Sequence, residues 1–199
     1  MMSYELRIRV AARGLGVDVM SRPCVRYVDD EETLLAAYTS DRPLPPWKTG
    51  PPRAWADVVH GLCVVGRHHF PEPTMLAFVV AHEMFHQVQF DVGHVDDTCD
   101  EWWTGAPGFA ERYRIWNDDL CVRLRPESYR PLAEGGFKSE IVRVTPVATQ
   151  ATADLFAVAV VGDVLGLMDF PPHVVELARE FLQRLGLPHE GTNRHQRQR

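Results

Sequence analysis

Residues 73–93 read PTMLAFVVAHEMFHQVQFDVG, and this stretch carries the most informative motif of the chain. His82 and His86 enclose Glu83 in the pattern H-E-x-x-H. On a helix, positions i and i+4 lie on one face about one turn apart, so both imidazoles can reach one metal ion. Glu83 then stands beside them as a base for metal-bound water. The motif therefore predicts a metal site built on a single helix.

The ends and the composition of this stretch favour a helix. Pro73 suits a first helical turn, and Gly93 suits a C-terminal stop. Residues 76–81 are apolar on every side, which is typical of a buried helix rather than a surface one. Two histidines and a carboxylate are costly in a core unless they are paired or bound to a metal. A pair of hydrogen-bonded core histidines is the alternative interpretation.

Length and composition indicate one globular domain. The chain has 199 residues, of which 45% are hydrophobic and 10% aromatic, enough for a substantial core. We expect a single domain over residues 1–190 and a disordered tail over residues 191–199. The net charge of −6, with no basic stripe, argues against a nucleic-acid partner.

The sequence also bears on where the protein works. It contains no run of 18 apolar residues, so no membrane span is predicted. Its first ten residues, MMSYELRIRV, lack the apolar region of a signal peptide. The four cysteines form no C-x-x-C pair, so we expect reduced thiols and a cytoplasmic location.

The remaining patterns predict early strands followed by helices, which is an α+β fold class. Strands are expected over residues 4–10, over 17–20 or 24–28, over 58–66 and within 134–145. Residues 41–53 contain five prolines and are expected to form a loop. Helices are expected after the acidic run at 29–33 and over 107–122, 150–168 and 173–185. The consecutive histidines His68 and His69 are expected to lie in a solvated loop, with a role as metal ligands as the alternative.

A second motif follows the first. Residues 102–113 read WWTGAPGFAERY, which is similar to the gluzincin pattern W-x-x-E-G-x-A-E-Y. With both motifs, residues 58–116 resemble the zincin metallopeptidases, and among them the gluzincins. The resemblance implies a zincin-like fold, in which a small sheet is followed by a helical region with a central H-E-x-x-H helix. It also implies a Zn²⁺ cofactor and a strand, here residues 58–66, that can pair with an extended substrate.

The third zinc ligand is the point of departure from that family. Its ligand glutamate falls at Pro107, which cannot bind metal. Glu111 lies four residues further on, on the same helical face, and is the predicted third ligand. The alternatives are a site without a third ligand, or ligation by one of Glu101, His94, Asp96 and Asp97.

The function that the resemblance implies is zinc-dependent hydrolysis, by a peptidase or an amidase, of a peptide or small-molecule substrate. Glu83 is the predicted base, and Tyr113 the predicted donor to the oxyanion. Two alternatives stay open. Two histidines and a carboxylate also form the facial triad of non-haem iron enzymes, which would suit small-molecule metabolism. The chain could also be a non-catalytic zincin-like protein. No oligomeric state is predicted.

Overall fold

A computed structural model describes residues 3–19, 23–39, 52–58, 60–94, 108–123 and 147–188. These residues form three strands and six α-helices, so the α+β class is confirmed. In chain order the elements are α1 (Tyr4–Gly14), β1 (Cys24–Val28), α2 (Glu31–Thr39), β2 (Ala54–Asp57), β3 (Leu62–Gly66), a 3-10 turn (Arg67–His69), α3 (Pro73–His94), α4 (Phe109–Arg123), α5 (Val147–Ala157), a π-helical segment (Val158–Val164) and α6 (Pro172–Arg184).

Some expectations fall on other parts of the chain. Most of the proline-rich loop, the strand within 134–145 and the tail over 191–199 lie outside the described residues. So do Pro107 and three alternative ligands, Glu101, Asp96 and Asp97. For the fourth, His94, the structure describes the backbone as the last residue of α3.

The first element is a helix, and the predicted strand over residues 4–10 is wrong. Ser3 caps α1, because its hydroxyl accepts a hydrogen bond of 3.3 Å from the Leu6 N–H. The buried face follows helical spacing, at Ile8, Ala11, Ala12 and Leu15. Seven alternating residues are too few to separate a strand period from a helical one, and of these buried positions only Ile8 lies among them.

A buried arginine fastens α1 to the chain that follows it. The Arg9 guanidinium pairs with Glu5 at 2.8 Å, one turn earlier on the helix. It also donates to the carbonyl of Pro23 at 2.5 Å and to the carbonyl of Val19. Because a buried charge is stable only when it is paired and hydrogen-bonded, these contacts fix the path of the chain from α1 into β1.

The turn after α1 packs against the far end of the described chain. Gly16 has a positive φ of 78°, which glycine adopts without strain. A Cβ at this position would lie only 2.9 Å from Cδ of Pro188, which follows α6. The turn after α1 and the last described residues are therefore neighbours.

The sheet has the strand order β1-β3-β2. β3 is parallel to β1, with Cys24 opposite Leu62, and antiparallel to β2, with Ala54 opposite Val65. The predicted strands over 24–28 and 58–66 are confirmed, the second beginning at Leu62. β3 is paired on both sides, however, so it cannot add an extended substrate, and that expectation is wrong. Within the described residues the edges belong to β1 and β2.

The helix α3 is the centre of the core. It packs on β2 and β3, on α1, and on α5 with its π segment. Phe85 of α3 stacks on Phe156 of α5, with ring centroids 4.5 Å apart, and meets Phe181 of α6 edge-on at 5.9 Å. The helix predicted over residues 73–93 is confirmed, as are those that became α2, α4, α5 and α6. Within the described ranges no helix has both the length and the apolar character that crossing a membrane requires.

Candidate metal centre

The two histidines of the H-E-x-x-H motif converge on the side of α3 that faces α5. Their Nε2 atoms lie 3.0 Å apart. The rings are nearly perpendicular, at 85°, with centroids 4.7 Å apart. His82 is only 8% exposed. The i, i+4 spacing therefore does what the sequence predicts, and brings two nitrogen donors to one point in the interior.

The other nitrogen of each ring is held by an oxygen acceptor. Nδ1 of His82 donates to Oδ1 of Asp154 at 2.8 Å. Nδ1 of His86 donates to Oε1 of Gln89 at 2.5 Å. Metal-binding histidines commonly have such a partner, which fixes the ring orientation and leaves Nε2 for the metal. Both rings of this pair are oriented in that way.

Gln150 of α5 reaches both converging nitrogens. Its Oε1 lies 3.0 Å from Nε2 of His82, and its Nε2 lies 3.2 Å from Nε2 of His86. Asp154 follows one turn later on the same face of α5. Reasoning from sequence missed both residues, because residues 150–168 were interpreted as an apolar helix. The available signal was two polar side chains at i and i+4 in that apolar stretch.

One assignment of protons fits these contacts, with two N–H groups, from His82 and Gln150, sharing the single lone pair on Nε2 of His86. Burial opposes a charge on His82, but the Asp154 carboxylate outweighs it and raises the His82 pKa to about 9. Burial and the neighbouring His82 cation lower the pKa of His86 to about 3. A cationic His82 can then donate from both of its nitrogens, while a neutral His86 donates from Nδ1 and accepts at Nε2.

Glu83 faces the sheet instead of α5. It is 4% exposed, and the backbone N–H of Ala56 in β2 donates to its carboxylate. Burial raises the Glu83 pKa to about 7, against the opposing effect of the His82 charge. One turn later on this face, Gln87 donates to the Val58 carbonyl at 3.1 Å. The base predicted from sequence, Glu83, is therefore buried, and its pKa lies near neutral pH.

The two residues predicted on the second helix differ in burial. Glu111 of α4 is exposed. Tyr113 is buried against Phe85 and Phe109, with ring centroids 6.3 and 6.4 Å away, so its ring is part of the core. Their roles as ligand and oxyanion donor stay predictions.

The described residues also include a group of three potential ligand atoms that lie close together. Among the described residues, one set of His, Cys, Asp or Glu ligand atoms lies within 4.8 Å of one another, and it consists of Glu31, His68 and His69. Neither Glu111 nor Asp154 therefore completes a group of that size with the H-E-x-x-H histidines.

Comparisons with protein-family models, with curated proteins and with solved structures find no match for this chain. The resemblance to gluzincins accordingly rests on the H-E-x-x-H motif and on residues 102–113. Function is argued from the chemistry of the site itself.

Proposed function

We propose that this chain is a zinc-dependent hydrolase, a peptidase or an amidase, whose site is built on His82, Glu83 and His86. The observation that carries the proposal is the convergence of the two Nε2 atoms at 3.0 Å while Asp154 and Gln89 hold both Nδ1 atoms. In the metal-free protein a proton on Nε2 of His82 occupies this position, and a bound metal ion would replace it. The alignment is the one that metal-binding histidines adopt.

The donor set fits a zinc ion. Two nitrogen ligands at 2.0–2.1 Å from one tetrahedral zinc ion lie about 3.3 Å apart. The two Nε2 atoms, 3.0 Å apart, need to separate by only a few tenths of an ångström. Catalytic zinc sites use three protein ligands and leave a fourth position open, so one further donor is required.

Gln150 is the third donor in this proposal, in place of Glu111. Its amide oxygen lies 3.0 Å from Nε2 of His82, whereas Glu111 is exposed. A neutral amide oxygen donates less to zinc than a carboxylate does, because it brings no charge. We therefore expect weaker zinc binding than three ligands including a carboxylate would give.

Glu83 performs the proton chemistry. Zinc, when bound, supplies a Lewis acid that polarises a carbonyl and lowers the pKa of bound water toward about 7. Glu83, with a pKa raised by burial to about 7, can accept a proton from water and return it to a leaving amine. To reach water at the histidine pair, the carboxylate has to leave the Ala56 N–H and turn toward α5. A general base works best when its pKa lies near the working pH, and this one meets that condition.

Metal content tests the site. We expect the purified chain to bind zinc at the H-E-x-x-H pair, and His82→Ala and His86→Ala each to lose one equivalent. His60→Ala is the matched control, because His60 is an exposed histidine bonded to Asp57 at 2.9 Å. Circular dichroism confirms that each variant is folded. Unchanged zinc content in both folded variants would exclude the metal site.

Metal identity separates the hydrolase from an iron enzyme. An iron-dependent oxygenase would use the same two histidines with a carboxylate. Such an enzyme would retain iron under anaerobic purification and consume oxygen. Zinc as the retained metal, with turnover that does not depend on oxygen, supports the hydrolase.

A further inference from the structure

A second group of potential ligands lies on the surface, between α2 and the 3-10 turn that precedes α3. His68 and His69 belong to the turn, and Glu31 begins α2. Nε2 of His68 lies 3.0 Å from Oε2 of Glu31, and Nε2 of His69 lies 2.9 Å from the same oxygen. Two consecutive side chains therefore meet at one carboxylate oxygen.

This convergence is unusual for neighbours in sequence. Consecutive residues of a 3-10 turn leave the axis about 120° apart, because the turn has three residues per rotation. Here the two rings lie with centroids 4.0 Å apart and planes inclined by 41°. The side-chain torsions of His68 and His69 thus bring both Nε2 atoms toward Glu31. In a solvated loop the two rings would point in different directions.

The spacing of the three ligand atoms is compatible with a bound zinc ion. All three lie within 4.8 Å of one another. Zinc binds imidazole nitrogen at about 2.0–2.1 Å and carboxylate oxygen at about 2.0–2.2 Å, which places neighbouring ligand atoms about 3.3 Å apart. The two nitrogen-to-oxygen distances, 3.0 and 2.9 Å, are within a few tenths of an ångström of that value.

Packing holds the turn against α2. A Cβ at Gly66, the residue before the turn, would lie 2.8 Å from Cδ2 of Leu34 in α2 and 3.0 Å from Cδ2 of His69. Only glycine therefore allows this close approach. Next to it, Nε of Arg67 pairs with Oδ1 of Asp29 at 2.7 Å. The guanidinium is thereby occupied by a partner outside the group.

The charges of the group also suit a cation. The hydrogen bond from His68 lowers the pKa of Glu31 and keeps its carboxylate ionised. Burial and the neighbouring His68 lower the pKa of His69, so its ring is neutral near pH 7. A neutral imidazole and an ionised carboxylate are the forms that bind a metal.

We propose that Glu31, His68 and His69 form a second metal site, which takes a divalent transition-metal ion of the zinc class and leaves a position for solvent. Imidazole and carboxylate together suit such ions better than they suit calcium or magnesium, which prefer oxygen alone. The site is separate from the H-E-x-x-H pair, because His82 lies about 14 Å along the helix axis from the start of α3. A bound ion would tie α2 to the turn that leads into α3.

Zinc titration of the full chain, followed by calorimetry, tests this proposal. We expect His68→Ala, His69→Ala and Glu31→Gln each to remove one zinc equivalent, or to weaken its binding at least tenfold. Glu32→Gln is the matched control, since it removes the same charge from the next exposed residue. His60→Ala controls for a surface histidine that already has a carboxylate partner. Both controls should bind as the wild type does.

A second measurement locates the ion. Substoichiometric Co²⁺, which is paramagnetic, should broaden the ring-proton NMR signals of His68 and His69 before that of His60. These signals are assigned by their loss in the single variants. Equal zinc stoichiometry and affinity in the wild type and in a His68→Ala/His69→Ala double variant would overturn the proposal, as would broadening of His60 alone. His82→Ala should still bind zinc at Glu31, His68 and His69, even if it loses zinc from the H-E-x-x-H pair. The two sites are therefore tested independently.

Discussion

At the scale of single residues, the proposed metal site depends on the oxygen acceptors that hold Nδ1 of the two histidines. Asp154 is 72 residues away from His82 in sequence, and Gln150 is 68 away. Both reach the site because α5 packs against α3. The spacing of His82, Glu83 and His86 on one helix predicted their proximity from sequence. Gln150 and Asp154 belong to another helix, so no fixed sequence spacing links them to the histidines.

Asp154 positions the His82 ring, so its removal should weaken metal binding without removing a ligand. We expect Asp154→Ala to lower zinc affinity about 10–100-fold, the usual loss for a partner of a ligating histidine. Competition with a chelator measures the change. Asp163→Ala is the control, because Asp163 pairs with the exposed Arg179 at 2.8 Å. Equal losses of zinc affinity in both variants would mean that the effect comes from the change in net charge and not from the position of the His82 ring.

Gln150 and Glu111 represent two assignments of the third donor. Gln150→Ala should lower zinc affinity by at least tenfold, whereas Glu111→Ala, at an exposed position, should change it little. The same competition assay compares them. A larger loss of zinc affinity in Glu111→Ala than in Gln150→Ala would identify Glu111 as the third ligand, as expected from the sequence.

Glu83 should be needed for turnover and not for metal binding. Glu83→Gln keeps the size of the side chain but cannot accept a proton. We expect it to retain zinc and to lower the hydrolysis rate about 10²–10⁴-fold on any peptide or amide that the wild type cleaves. Undiminished turnover in this variant would mean that another group moves the proton.

At the scale of elements, sequence reasoning succeeded where end signals and long apolar runs agree. The helix α3 was predicted within one residue of its observed end, since Pro73 and Gly93 mark its limits. The helix α1 was missed because its first seven residues alternate, while most of its buried apolar positions, Ala11, Ala12 and Leu15, lie further along. Strand β3 was found, but its central place in the sheet depends on pairing with β1 and β2, which periodicity does not reveal.

The π segment offers a test of packing at this scale. Its wider turn is seen in the bond from the Leu165 N–H to the Val160 carbonyl, five residues back, at 3.0 Å. A Cβ at Gly162 would lie 2.6 Å from Cδ2 of Phe170. Gly162→Ala should therefore reduce the free energy of unfolding by about 1–3 kcal/mol, as measured by urea denaturation.

Gly14→Ala is the matched control for that substitution. Nothing lies within 4 Å of a Cβ at Gly14, the last residue of α1. Alanine there should leave the free energy of unfolding unchanged or raise it by up to about 1 kcal/mol, because alanine has a higher helix propensity than glycine. Equal destabilisation of both variants would contradict the packing described for Gly162.

At the scale of the whole molecule, one helix serves both the core and the site. Phe85 lies between the two histidines in sequence and stacks on Phe156 of α5, the helix that supplies Gln150 and Asp154. Stability and metal affinity should therefore be coupled. A core change that moves α5 relative to α3 also moves the groups that orient the histidines.

Phe85→Ala should show this coupling. We expect it to reduce the free energy of unfolding by about 3–5 kcal/mol and to weaken zinc binding in the fraction that stays folded. Ile115→Ala, at a side chain that is 59% exposed on α4, should stay within about 0.5 kcal/mol of the wild type. Unchanged zinc affinity in folded Phe85→Ala would show that the site and the core are independent.

The chain is synthesised from its N-terminus, yet the turn at Gly16 finds its neighbour Pro188 at the opposite end of the described residues. At about 5–20 residues per second, Pro188 is made on the order of ten seconds after Gly16. During that interval α1 also waits for α3 and the π segment, against which it packs. The described packing partners of α1 are therefore made after it, and the contact between Gly16 and Pro188 forms only after translation has passed α6.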